Sequence, residues 1–385
     1  MWVTRLKLKN WRNFKQADIT LRDRVYLIGP NASGKSNLLD VFRFLRDIAE
    51  PSGGGLQKAV RDRYGITKLR CLQARTDPEV AIEVELAETL DDPVAEWTYA
   101  IGFKSEGKGQ QRPVLSYERV WHQGEVVRNR PDDTDRADMV RLTQTHLEQI
   151  NANADFRPIA DFFAGVTYLH LVPQLIKYGD AIGGNRLEDD PFGQGFLERI
   201  ARCPPKTREA RLKRIQTALQ VAVPQFKELR FVKDEINGHP HLAAFYEHWR
   251  PNAGWQREEQ FSDGTLRLLA LLWSLLDGNS LLLLEEPELS LNDALVERIP
   301  LLLDRLQRQA RHRRQILIST HSEALLRNPG IDVRGVLRLE PEKEGSRIIA
   351  PDEAEQRMVE AGLSPAEVLL PKTRPARLDQ LDLFK

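Results

Sequence analysis

Val25-Tyr-Leu-Ile-Gly-Pro-Asn-Ala-Ser-Gly-Lys-Ser-Asn37 decides the fold: an apolar run, a glycine loop that fits G-x-x-x-x-G-K-[ST], and the start of a helix. Val25 to Ile28 suits a buried parallel strand, and Asn37-Leu-Leu-Asp-Val-Phe-Arg-Phe-Leu-Arg46 carries apolar residues at helical spacing. A loop set between strand and helix turns backbone N–H groups and a positive helix end toward the phosphates of a nucleoside triphosphate. Gly29 and Gly34 allow close backbone approach, Lys35 can reach the β- and γ-phosphates, and Ser36 can ligate Mg²⁺. Pro30, Asn31, Ala32, Ser33 and Asn37 complete the nucleotide-binding stretch. Far along the chain, Leu281-Leu-Leu-Leu-Glu-Glu-Pro-Glu288 answers it with an apolar strand that ends in paired carboxylates. The two together imply hydrolysis of ATP or GTP.

Two further segments narrow the class. Phe261-Ser-Asp-Gly-Thr-Leu-Arg267 opens a strongly apolar helix, so Ser262 and Gly264 sit at a second positive helix end. Gln315-Ile-Leu-Ile-Ser-Thr-His321 is a strand that ends in a histidine. With these in place the chain resembles the ABC-type ATPases, and more closely their soluble DNA-associated branch, the SMC, RecF and OLD-like proteins. The order of loop, signature, acidic strand and histidine matches that family. The opening Leu8-Lys-Asn-Trp-Arg-Asn-Phe14 is similar to the stretch that precedes its first nucleotide-binding strand.

The resemblance implies a role for each matching position. Lys35 and Ser36 bind phosphate and Mg²⁺, and Glu285 holds the metal's water shell where the family usually has Asp. Glu286 is the general base, His321 the switch histidine, and Arg12 lies beside the nucleotide. Gln174, after the strand-like Gly165 to Val172, is the γ-phosphate and metal sensor, with Gln73 also available. Ser262, Asp263 and Gly264 close over the phosphates of a second subunit, which makes the ATP state a homodimer. Ser290-Leu-Asn292 takes the place of the dimer-contact loop. Asp263 stands where transporters have Gly and Thr265 where they have Gln, departures that weaken a reading as an ABC transporter subunit.

The expected fold is α/β: a P-loop ATPase head whose mostly parallel core sheet is flanked by helices, with an antiparallel β insertion, a helical insertion and no long coiled coil. The expected divisions are a first core part at 1–50, a β-rich then helical insertion at 51–160, and a core strand with the glutamine loop at 161–185. A helical insertion and hairpin at 186–255, a second core part at 256–340 and an extension with a tail at 341–385 follow. The insertion sheet rests on period-two patterning at Val80–Leu86, Trp97–Phe103, Val114–Trp121 and Glu125–Arg128. Asn237-Gly238 marks a hairpin turn.

A formal net charge of +0 supplies no global pull toward nucleic acid, so any DNA contact is local. Arg202 to Arg214 and the run Arg305, Arg308, Arg311, Arg313, Arg314 are the candidates, against the plainer reading of solvated helix faces. The absence of a membrane-length apolar run or a signal peptide points to the cytoplasm, and Cys71 and Cys203 lack metal-ligand spacing. The segment after His321 is short for a nuclease domain of the OLD kind, so a cutting activity would belong to a separately encoded protein. At the end of the chain, the run Gln380, Leu381, Asp382, Leu383, Phe384 is similar to the pentapeptide by which bacterial repair proteins bind the replication sliding clamp. In that motif the third position is Ser or Asp, which Asp382 satisfies. The functional expectation is an ATP-dependent dimeric switch in DNA repair, replication surveillance or antiviral defence. The alternative is an ATPase that regulates a separate nuclease or toxin.

Overall fold

The computed structural model describes the chain apart from residues 91, 93, 108–110, 183–189, 191, 248–254, 310–312 and 375–385. Gln380, Leu381, Asp382, Leu383 and Phe384, expected to bind the clamp, therefore lie outside the described residues. The chain opens with strands β1 (Trp2–Trp11), β2 (Phe14–Thr20) and β3 (Arg24–Ile28), followed by helix α1 (Lys35–Ala49). Strands β4 (Val80–Ala87), β5 (Trp97–Ser105), β6 (Pro113–His122) and β7 (Glu125–Arg130) come next, then α2 (Arg157–Ala164), β8 (Thr167–Leu169), α3 (Pro173–Ile182) and α4 (Pro205–Ala222). After β9 (Phe226–Lys233), β10 (Pro240–Tyr246) and β11 (Trp255–Arg257) the chain forms α5 (Asp263–Leu276), β12 (Leu282–Glu285), α6 (Ile299–Gln309), β13 (Ile316–Ser319), β14 (Val336–Glu342) and β15 (Gly345–Ile349). No described helix is long and apolar enough to cross a membrane.

The chain divides into two compact units. The first holds Met1–Thr167, Asn279–Leu283 and Arg314–Lys385, the second Tyr168–Gly278 and Leu284–Arg313. In the first unit the strands read from period-two patterning form an antiparallel sheet in the order β2-β1-β4-β5-β6-β7. The opening hairpin thus begins the sheet that the later strands extend. Its apolar face meets α1 through aromatic rings: Phe44 lies 5.1 Å from Trp11 of β1 and 5.4 Å from Phe103 of β5. Beneath α1 an ion cluster is buried, with Arg63 2.9 Å from both Asp40 and Asp47. Burial alone would raise the Asp40 pKa, yet Arg63 and Arg12 hold it below the ordinary value.

A second buried network ties β6 and β7 to the segment that follows them. Arg130 pairs with Glu118 at 3.0 Å and Asp135 at 2.8 Å, and Glu118 also accepts from the Tyr99 hydroxyl and the His146 and Leu147 N–H groups. Removing one partner of such a set leaves a buried charge uncompensated, which costs about 3–5 kcal/mol. Polar side chains of this segment are therefore inside, with Asp135 fully buried and His146 nearly so.

The core sheet runs in the order β15-β14-β3-β13-β12-β8. Strand β3 is parallel to β13 on one side and to β14 on the other, and Val25 to Ile28 are all buried. That explains its continuous apolar character, since a strand flanked on both edges and covered on both faces has no solvent side. In the second unit β9 and β10 form the expected hairpin, with Lys233 opposite Pro240 and Gly238 at φ +71°.

Candidate functional site

The nucleotide-loop candidates grow from the end of β3, in the first unit. Because β13 is parallel to β3, with Ser319 opposite Leu27, the carboxyl ends of both strands lie on one edge of the sheet. One end delivers the glycine loop and the other His321, which is exposed. Gly29 has φ +151°, Ala32 +62° and Gly34 +106°. A Cβ on Gly29 would stand 2.4 Å from the Leu339 carbonyl oxygen, and one on Gly34 only 2.1 Å from Asn13 Nδ2. Glycine at both positions is therefore a matter of space as well as conformation.

Helix α1 begins at Lys35 behind Gly34, which supplies no side-chain cap at the positive end of the helix. The buried Lys35 ammonium donates to the carbonyls of Gly29 and Pro30 at 2.9 and 3.1 Å, folded back over its own loop. Asn31, Ala32 and Ser36 are exposed or nearly so at the loop's rim, whereas Ser33 is buried with no hydrogen-bond partner for its hydroxyl among the described residues. Asn13 closes the cradle from β1's end: its Nδ2 donates to the Ser33 carbonyl at 2.8 Å and its Oδ1 accepts from Asn37. Arg12, expected beside the nucleotide, has its guanidinium on the Asp40 carboxylate of α1, with Nη2 at 2.6 Å.

The expected carboxylates and signature belong to the second unit. Glu285 ends β12, and its carboxylate accepts a hydrogen bond from the Tyr168 hydroxyl. Glu286 follows at φ +45°, a left-handed conformation that a residue with a side chain holds at a cost of roughly 1–3 kcal/mol.

At the start of α5, Ser262 is the N-cap, accepting from the Thr265 N–H at 3.1 Å, with its hydroxyl 2.8 Å from that of Thr265. A Cβ on Gly264 would lie 2.6 Å from the Ser290 carbonyl oxygen, so this glycine lets the helix end approach the loop behind the acidic strand. Asp263 takes one donor on each oxygen: Gln174 Nε2 at 2.8 Å on Oδ2 and Lys177 Nζ at 2.7 Å on Oδ1. The amide of Gln174, expected to sense nucleotide and metal, is thus bound to the signature. One turn into α5, burial lowers the Arg267 pKa, opposed by the nearby carboxylates of Asp263, Glu286 and Glu288. Gln73, the other glutamine weighed, accepts a hydrogen bond from Cys71 Sγ.

Several residues here escape a reading of motifs. Asn13 lies within the opening stretch but outside any phosphate pattern, and Tyr168 and Lys177 precede and follow the glutamine without a signature of their own. The basic runs are also partly spent inside the molecule. Arg314 is buried and donates to the Ser280 carbonyl at 2.7 Å, so it is removed from the DNA candidates. Arg211 pairs with Asp277 at 2.7 Å, and Arg208 stacks 4.0 Å from the Phe231 ring centroid, which leaves Arg202, Lys206, Lys213, Arg305 and Arg313 among the exposed cations. Cys71 and Cys203 are free thiols.

The uncapped helix end, the glycine-shaped loop and a buried lysine fit a nucleoside triphosphate. Residues 25–327 match the family described as AAA domain, putative AbiEii toxin, Type IV TA system, and residues 3–45 match the P-loop containing region of AAA domain. The chain is 32% identical over 103 residues to the DNA replication and repair protein RecF of Roseiflexus castenholzii (strain DSM 13941 / HLO8), an alignment that spans 25% of this chain and 26% of that relative. Among solved structures, it is similar to an Smc head bound to the C-winged helix domain of ScpA, with TM-score 0.55 and 15% identity over 92% of this chain and 99% of that one. It is also similar to the Smc head domain with an extended coiled coil bound to the C-terminal domain of ScpA derived from Pyrococcus furiosus, with TM-score 0.52 and 15% identity over 94% and 99%. At these identities the likeness is one of fold.

Proposed function

The chain belongs to this AAA-domain family as a P-loop ATPase, and we propose that it is a DNA-associated one, in which ATP closes two copies head to head and hydrolysis releases them. The observation that carries the nucleotide chemistry is the loop from Gly29 to Ser36 with its uncapped helix end and buried Lys35. Lys35 holds the phosphates, Glu286 takes the proton of the attacking water, and His321 steadies the γ-phosphate end. Ser36 and Glu285 would hold Mg²⁺, which when bound supplies charge neutralisation, and the Tyr168 hydrogen bond keeps the Glu285 carboxylate oriented. Similarity to RecF supports action on DNA in repair or replication.

Mixing Lys35→Ala with Ser262→Arg subunits tests the shared site: one intact composite site forms in each mixed dimer, so activity partly returns. Turnover that is independent of protein concentration and unrescued by mixing would point to a monomeric enzyme. Steady-state ATPase with duplex and gapped DNA across a salt series tests the DNA reading, with stimulation expected to fade as salt rises. The tail is proposed to recruit the protein to the sliding clamp, with Leu381, Leu383 and Phe384 entering an apolar pocket, Gln380 hydrogen-bonding at its edge and Asp382 between the leucines. In the full chain, Leu383→Ala with Phe384→Ala is expected to abolish clamp binding and spare ATPase activity.

The family description favours a second reading, an ATPase that controls a separately encoded toxin or nuclease. ATPase activity indifferent to every DNA at low salt would favour it.

A further inference from the structure

The signature carries a carboxylate where an incoming phosphate would meet a helix end. The N-terminus of α5 offers partial positive charge, equivalent to roughly half an elementary charge, and a full negative charge on its first residue opposes it. Left alone, Asp263 would repel a triphosphate. It is not left alone. Gln174 and Lys177 stand three residues apart on α3, so they share a face, and each occupies one Asp263 oxygen. The amide of Gln174 adds a hydrogen bond but no charge. The Lys177 ammonium, 2.7 Å away with a side chain only 12% exposed, supplies the neutralising charge in a partly dry setting where it counts for more than on open surface. Arg267 also feels Asp263, but it is shared with Glu286 and Glu288.

We propose that Lys177 is a positioning residue of the ATPase reaction, one that cancels the Asp263 charge and so lets the Ser262–Gly264 end of α5 accept a triphosphate. This rests on the proposed role of the signature in hydrolysis. Gln174 fixes the direction of the carboxylate, and Lys177 fixes its electrostatic value. The exchange of Gly for Asp at position 263 is therefore compensated from α3 rather than within the signature itself.

The test is steady-state ATPase kinetics on the full chain at two protein concentrations, with thermal melting of every variant. Lys177→Met is expected to raise KM for ATP at least tenfold while kcat changes less than threefold, and Lys177→Arg to retain near-normal KM. Adding Asp263→Asn to Lys177→Met is expected to recover most of the lost KM, because the charge that needed cancelling is gone. An unchanged KM in Lys177→Met overturns the proposal. So does a double variant as impaired as the single one, or a fall in melting temperature with kcat and KM lost together, since the pair would then be only a brace between helices. Full turnover by Ser262→Arg would instead remove the signature reading itself, whatever Lys177 does.

Discussion

Two helix ends in this molecule are proposed to face the same task, and they are built in opposite ways. The N-terminus of α1 is shaped by backbone: Gly34 in place of a capping side chain, positive φ angles at Gly29, Ala32 and Gly34, and one buried lysine. The N-terminus of α5 is shaped by side chains: a serine cap, an aspartate, and two partners for that aspartate from α3. A backbone site is specified by what its residues lack, and a side-chain site by what distant residues add. The first therefore appears as a motif, while the second depends on contacts that no local pattern records.

Separating phosphate binding from bond cleavage is the strongest way to break this comparison. Lys35→Ala is expected to abolish ATP binding in calorimetry. Glu286→Gln is expected to keep binding and lose about 10²–10⁴-fold in turnover. Full turnover by the Glu286→Gln protein would remove the base assignment.

Next in size, an added methyl group tests the two glycines against each other. In Gly34→Ala the new Cβ meets Asn13 in a backbone with φ +106°, so ATP affinity is expected to fall more than tenfold. Gly264 is not held at positive φ, and its Cβ would meet the Ser290 carbonyl oxygen. Gly264→Ala is expected to raise KM for ATP only severalfold, with kcat changed less. Equal effects on affinity would erase the distinction between the two helix ends.

The smallest effect concerns acid and lies away from both ends. Burial, reinforced by Arg130 and Arg128, lowers the His146 pKa to about 4, and its Nδ1 has no hydrogen-bond partner among the described residues. The unfolded chain takes up that proton near pH 6.5 and the folded one does not, so stability is lost as pH falls from about 6.5 to 4, by roughly 1–3 kcal/mol. Asp135 is also buried, but Arg130 and backbone contacts lower its pKa to about 2. Its contribution is intact above the unfolded value and lost only as pH falls from about 4 toward 2. His146→Leu is expected to flatten the upper part of this acid profile, as read by urea midpoints at pH 7 and pH 5. An unchanged profile would show that His146 is not its source.

Strands β4 to β7 were legible almost to the residue, because large apolar side chains alternate with small or polar ones along most of their length. The glycine loop was legible because its chemistry is local. Arg314 misled, since a charged residue beside other arginines looks like surface until burial and its bond to Ser280 are seen. Asn13 and Lys177 were invisible as partners: the first reaches 20 residues along the chain to Ser33, the second 86 to Asp263.

By itself the sequence determined the glycine loop, the strand that ends at Glu285, the helix that opens at Ser262 and the order in which they occur, because each is set by residue type within a few positions. Only the tertiary structure decided who neutralises Asp263, who holds Glu285, and which arginines remain for a partner. Those answers depend on burial and on distances between segments far apart in the chain, and residue spacing carries no record of either.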